Sequence, residues 1–112
     1  MNNLKKSNCI DSKLDVIATN LFTILSKSDM FPLSPSGMLE FKQILIKSMK
    51  EELESNNMVE VQVSGDIACE IITKAASKMG IRYPKINGSY EAVLFSSGAT
   101  FFNNRTSIEL NG

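Results

Sequence analysis

Apolar residues recur at helical spacing in two stretches of the first half of the chain. Between residues 11 and 27 one face carries Leu14, Ile17, Ala18, Leu21, Ile24 and Leu25. Between residues 35 and 55 one face carries Phe41, Ile44, Leu45, Ser48, Met49 and Leu53. Asp11 or Ser12 can cap the first stretch, and Ser34-Pro35 suits the start of the second. We therefore predict two amphipathic helices, at about 11–27 and 35–55.

The apolar period changes after residue 57. Residues 58–63, MVEVQV, alternate between apolar and polar side chains, which is typical of a half-buried strand. A continuous helix reaching residue 79 is the alternative interpretation. Asp66 is placed to cap a third helix, whose apolar stripe begins at Ile67 and which Gly80 would end.

From residue 81 onward the helical period is absent. Asn87-Gly88 predicts a two-residue hairpin turn of type I′, and Pro84 marks the strand before it as an edge strand. Further strands are predicted at 89–95, 99–102 and 106–110. The whole pattern predicts one α+β domain over residues 1–112, with residues 1–10 as a flexible lead-in. Its two or three N-terminal and central amphipathic helices pack on one face of a C-terminal antiparallel β-meander.

The segment 92–102, AVLFSSGATFF, sets two serines and a glycine between apolar runs. Its spacing does not match the G-x-S-x-G turn of a nucleophilic serine. We predict a three-residue hairpin loop with Gly98 in the left-handed conformation. Val93 and Phe95 should then share a sheet face with one of Phe101 and Phe102, while the other ring faces away and is the one to examine for a partner.

The amino-acid composition argues against two classes of partner, nucleic acids and membranes. Twelve basic and twelve acidic residues give a formal net charge of zero, which argues against nucleic-acid binding. No apolar run is long enough to cross a bilayer, and the opening residues do not resemble a signal peptide, so we expect no membrane partner and a cytoplasmic location. The two cysteines, Cys9 and Cys69, are then expected to stay reduced.

Residue types and motifs that are missing from the sequence argue against several kinds of catalytic and binding site. The chain contains no histidine, so neither a Ser-His-Asp nor a Cys-His arrangement can be built from it. Two distant cysteines without histidine do not suffice for a closed zinc site. Glycine-rich phosphate-binding motifs are absent as well. We therefore predict a protein that is not an enzyme and that uses neither a cofactor nor a metal.

By elimination, the sequence favours a small regulator or inhibitor that binds a partner enzyme and also forms a homodimer. Candidate contact residues are the apolar and aromatic side chains of the inter-helix loop and of the predicted sheet: Met30, Phe31, Leu33, Tyr83, Tyr90 and Phe102. The alternative is a small-molecule or nucleotide-sensing domain. Its pocket would lie between helices and sheet, near Arg82, Lys85 and Arg105.

Overall fold

The residues that the structure describes form three helices and a four-stranded sheet, which confirms the predicted α+β class. The computed structural model describes residues 2–27, 34–65, 67–80, 86–108 and 110, with side chains from residue 10 onward. In chain order the elements are α1 (Asn2–Ser26), α2 (Pro35–Asn56), β1 (Met58–Ser64), β2 (Ile67–Ala68), α3 (Glu70–Lys78), β3 (Ser89–Phe95) and β4 (Thr100–Asn104). The sheet order is β2-β1-β3-β4, and each neighbouring pair is antiparallel.

The two long helices form where the apolar spacing predicts them. Helix α1 begins at Asn2 rather than near residue 11, so the cap predicted at Asp11 or Ser12 is wrong, because both residues lie inside the helix. The flexibility of residues 1–10 stays a prediction. Helix α2 starts as predicted, because the Ser34 hydroxyl accepts a hydrogen bond from the Gly37 N–H at 3.2 Å. It ends at Asn57, whose φ of 61° is left-handed and whose N–H donates to the Leu53 carbonyl.

Helices α1 and α2 lie antiparallel, with ion pairs along their contact. The Lys42 ammonium lies 2.9 Å from the Asp15 carboxylate, and the Lys50 ammonium lies 3.6 Å from that of Asp11. Both pairs are at least partly in water, so each contributes at most about 1 kcal/mol. The apolar faces between the helices therefore account for most of the stability of this contact.

Strand β1 confirms the alternating pattern of residues 58–63, and the alternative of a continuous helix to residue 79 is wrong. Ile67 and Ala68, predicted as helical, instead form β2 and pair with Ser64 and Val63. Helix α3 consequently starts at Glu70, with Cys69 at its N-cap position. Asp66, the predicted cap, lies outside the described residues.

The helix stop predicted at Gly80 is present. Gly80 has a φ of 69°, and its N–H donates to the Ser77 carbonyl at 3.0 Å.

The predicted Asn87-Gly88 hairpin is wrong. Gly88 has a φ of 96°, but Asn87 lacks the positive φ that a type I′ turn requires. The segment instead runs beside the end of β1. There the Ile86 N–H donates to the Gly65 carbonyl at 2.9 Å, and the Gly65 N–H donates to the Gly88 carbonyl at 3.3 Å. Residues 81–85, including Pro84, lie outside the described residues.

The strands at 89–95 and 99–102 are confirmed as β3 and β4, whereas residues 106–108 are not a strand. The Asn104 side chain holds a turn there. Its carbonyl oxygen accepts from the Thr106 N–H at 2.9 Å, and its amide nitrogen donates to the Ile108 carbonyl at 2.9 Å. Ile108 and Leu110 are partly buried and pack against the core.

One continuous core lies between the helices and the sheet. Every second residue of β1 and of β3 faces it, because side chains alternate along a strand. The buried hydrophobic residues are Leu14, Ile17, Ala18, Leu21, Ile24 and Leu25 of α1; Phe41, Leu45, Met49 and Leu53 of α2; Val59, Val61 and Val63 of β1; Ile72, Ala75 and Ala76 of α3; and Ile86, Tyr90, Ala92 and Leu94.

Replacing Gly88 with alanine should destabilise the protein by more than about 3 kcal/mol. The backbone at Gly88 has a positive φ, and an added methyl group would collide with the Arg105 carbonyl. Gly80→Ala is the matched control, since φ there is also positive but the space around it is open. We expect that control to lose about 1 kcal/mol in urea unfolding. Equal losses for the two variants would contradict the close approach at Gly88.

Candidate functional site

The Ser96-Ser97-Gly98 loop is a hairpin connection, as predicted. Gly98 has a φ of 97°, and its N–H donates to the Phe95 carbonyl at 2.8 Å. The Phe95 N–H in turn donates to the Ala99 carbonyl at 2.9 Å. From α1, the Lys13 ammonium donates to the Gly98 carbonyl and ties the loop to the helix layer. The loop therefore positions β3 and β4, and its serines lie on the outside of a turn.

The sheet face turned away from the core is the main candidate for binding. We call it the open face. The side chains of the open face are all exposed or half-buried. They are Met58, Glu60, Gln62 and Ser64 of β1, Ile67 of β2, Ser89, Glu91, Val93 and Phe95 of β3, and Phe101 and Asn103 of β4.

The apolar part of the open face lies at the end next to the hairpin loop. Val93 pairs with Phe101 and Met58 pairs with Phe95 across the strands. The Phe95 and Phe101 rings meet edge to face, with centroids 6.0 Å apart and planes at 87°. Phe101 is nevertheless 63% exposed, as is unusual for so large an apolar side chain.

Val93 and Phe95 do share a face with one phenylalanine, which confirms that prediction. The face is the open one, however, and the second ring, Phe102, pairs with Ala92 on the core side. The outward ring is therefore Phe101. The sequence alternation fixed which residues lie together but carried no signal for which face the helices cover.

The charges on the open face are carboxylates. Glu60 lies opposite Val93, beside the apolar end, and Glu91 lies between Gln62 and Asn103. None of the open-face residues defined above is basic. Arg105 follows β4 at the far end, where its N–H donates to the Ser89 carbonyl at 2.7 Å. The apolar end of this face is thus bordered by negative charge.

Of the six predicted contact residues, the structure describes Tyr90 and Phe102. Met30, Phe31, Leu33 and Tyr83 lie outside the described residues. Tyr90 is 1% exposed, so its ring lies in the core, where a partner does not reach it. Phe102 is half-buried and packs against the core cluster. Within the described residues, the exposed rings and aliphatic side chains are other ones, notably Phe101, Ile67 and Leu39.

Tyr90 instead takes part in a buried polar contact between α1 and the sheet. The Asn20 amide nitrogen donates to the Tyr90 hydroxyl at 3.0 Å, and both residues are almost fully buried. Burial raises the pKa of the Tyr90 hydroxyl, and the hydrogen bond from Asn20 offsets part of that rise. This pair has a structural role, because it satisfies two polar groups inside an apolar core.

A groove of about 590 Å³ lies between α2 and α3, beside the edge of β1. Its charged lining is mixed, consisting of Glu51, Glu52, Glu60, Glu70, Lys74 and Lys78. Lys74 lies 2.8 Å from Glu70, as the i, i+4 spacing predicts. Their hydrogen bond and mutual attraction lower the pKa of Glu70 and raise that of Lys74.

This groove does not resemble a small-molecule pocket, since such pockets are mainly apolar and enclosed. Nor is there, among the described residues, a cluster of cysteine and carboxylate groups arranged to hold a metal ion. Cys69 lines the groove at the start of α3 and is half-buried. Of the basic residues predicted around a ligand, Arg82 and Lys85 lie outside the described residues, and Arg105 is exposed and follows β4, at the other edge of the sheet from the groove. The sensing-domain alternative stays a prediction.

Replacing Tyr90 with phenylalanine should change how stability depends on alkaline pH. The pKa of the Tyr90 hydroxyl is raised in the folded protein, so the folded state favours the neutral phenol more strongly than the unfolded chain does. The resulting stability is fully present below pH of about 10 and is lost as the pH rises through the raised pKa. Urea unfolding of the wild type from neutral to alkaline pH should therefore show a fall that Tyr90→Phe lacks.

At neutral pH the same variant should lose about 1–2 kcal/mol, since Asn20 loses this acceptor. A double variant, Asn20→Leu with Tyr90→Phe, should recover part of that loss because neither polar group remains. Identical alkaline slopes for the wild type and Tyr90→Phe would contradict the raised pKa.

Comparison with protein-family models, with curated proteins and with solved structures found no match to this chain. None of the helices in the described part of the chain is both long and apolar enough to span a membrane. A function for this protein therefore has to be argued from its own surfaces, of which the open face is the most distinctive.

Proposed function

We propose that this is a non-catalytic protein that acts by binding another protein through the open face of its sheet. The observation that carries the proposal is the exposure of Phe101, whose ring is packed edge to face on Phe95 and is 63% accessible. Aromatic residues, phenylalanine among them, are enriched at the core of protein–protein interfaces. Val93 and Met58 extend the same apolar area into the sheet.

The charge around this area indicates what the partner should look like. Glu60 and Glu91 border the apolar end, and the open face as defined has no basic side chain to neutralise them. A partner surface with an apolar centre and a lysine or arginine rim would complement it, and such rims act mainly on association rate and specificity. Two copies of this face, by contrast, would bring like charges together.

The partner is proposed to be an enzyme that the protein regulates or inhibits. A sheet face backed by a helix layer can block the surface of an enzyme, because few of its side chains have to be ordered on binding and the entropy cost is small. The absence of histidine from the chain is in keeping with a role that needs no catalytic group of its own. Self-association as a homodimer is part of the proposal, through a surface other than this face.

Replacing Phe101 with serine should abolish partner capture while leaving the fold intact. The tagged wild type, used as bait in a lysate of its native host, should retain a protein that Phe101→Ser does not retain. The free energy of unfolding should change by no more than about 1 kcal/mol, because the ring is mostly exposed. Bound proteins would be compared quantitatively by mass spectrometry.

Leu39→Ser is the matched control, since Leu39 is 58% exposed but lies on α2, away from the sheet. It should retain the partner in the same yield as the wild type. If the captured protein is an enzyme, its rate should change on addition of the wild type and not on addition of Phe101→Ser. Equal capture by Phe101→Ser and the wild type would overturn the proposed binding face.

A further inference from the structure

The two edges of the sheet differ in the length of the edge strand and in how they are covered. At one edge, β2 is two residues long, and beyond it the start of α3 covers β1, with the Cys69 N–H donating to the Gln62 carbonyl at 3.0 Å. At the other edge, β4 presents five residues, TFFNN, with no charge and no proline. Natural edge strands are usually shortened, charged, kinked or covered, since a bare edge pairs with another strand.

The alternation of hydrogen-bonded pairs between β3 and β4 shows which backbone groups of β4 point away from β3. Phe95 bonds to Ala99, and Arg105 bonds to Ser89, at the two ends of the β3–β4 ladder. Since hydrogen-bonded pairs alternate along an antiparallel ladder, Phe101 and Asn103 also bond to β3. The N–H and C=O groups of Thr100, Phe102 and Asn104 then point away from it. Between described residues, no backbone hydrogen bond from outside the sheet ladder reaches these three positions.

We propose that β4 pairs antiparallel with β4 of a second copy of this chain. A two-fold axis at Phe102 places Phe102 opposite its own counterpart and Thr100 opposite the counterpart of Asn104. All outward backbone groups then find partners, and no charged side chains meet, because β4 has none. On the open face, Phe101 of one copy lies beside Asn103 of the other.

The resulting dimer has one continuous eight-stranded sheet with all helices on one side. It rests on the self-association in the proposed function and specifies its interface. Because the interface is an edge, both open faces stay accessible, so a dimer would present two equivalent binding surfaces. Pairing of this kind closes after two copies, since each chain uses its β4 edge once.

The first test measures molar mass by light scattering across a dilution series, with the full chain. We expect the wild type to have twice the chain mass of 12.4 kDa at micromolar concentration and to dissociate on dilution. Thr100→Pro removes one outward N–H and no bond to β3, so it should raise the dimer dissociation constant about 30-fold. Thr100→Val keeps that N–H and is the matched control, expected to dimerise like the wild type.

The second test needs no variant and covers the case in which Thr100→Pro does not fold. Amide hydrogen exchange in the dimer should protect Thr100, Phe102 and Asn104, and dilution should release them. The Phe101 and Asn103 amides, bonded to β3, should stay protected at every concentration.

Three results would overturn the β4 interface. They are a wild type that is monomeric at all concentrations, a folded Thr100→Pro that dimerises like Thr100→Val, and outward amides that exchange alike in dimer and monomer. The first result would also remove the proposed self-association, whereas the other two would leave it standing. None of them bears on capture through Phe101, which is measured separately.

Discussion

The pairing of β1 with β3 is the contact on which the rest of this structure depends. It joins seven residue pairs, from Met58 with Phe95 to Ser64 with Ser89, across a stretch of chain that contains β2 and α3. Because side chains alternate, this register places Val59, Val61 and Val63 opposite Leu94, Ala92 and Tyr90 on one face. A slip of β1 by one residue would turn its valines to solvent and bury Glu60, and a slip of β3 would bury Glu91 in the same way. The helices can pack only on the face that this register makes apolar.

The helix layer is fixed to that face by both apolar and polar contacts. Apolar residues of α1 and α2 supply most of the buried surface, but burial alone does not favour one position of a helix over a slightly shifted one. The Asn20–Tyr90 hydrogen bond is directional, and a shift of α1 would leave two polar groups unsatisfied in the core. The ion pairs from Asp15 and Asp11 to α2 act at the outside of the same helix pair, where water weakens them.

Local signals in the sequence were enough for the elements whose contacts are local. The apolar stripes of α1 and α2, the Ser34 cap of α2, the alternation of β1 and the left-handed Gly98 are all present, because each depends on neighbouring residues. The cap predicted at Asp11 or Ser12 is wrong, since α1 continues back to Asn2. Two of the errors occur where hydrogen bonds to backbone distant in sequence determine the local conformation. Ile67 and Ala68 fit a helical stripe, but pairing with β1 draws them into a strand. Asn87-Gly88 has the composition of a hairpin, but its backbone bonds to Gly65. For the candidate site, the sequence grouped Phe101 with Val93 and Phe95 but could not show which face the helices would occupy.

The bond from Lys13 to the Gly98 carbonyl has a consequence for how the protein is made. Together with Asn20–Tyr90, it joins the first helix to residues that are 70 and 85 positions further along the chain. A ribosome synthesises these partners well after α1, so α1 emerges with its apolar stripe before the sheet that will cover it exists. Domains of such long-range connectivity fold slowly and expose apolar surface in the interval. Nascent chains of this protein should therefore be a substrate for chaperones until residue 98 has left the exit tunnel.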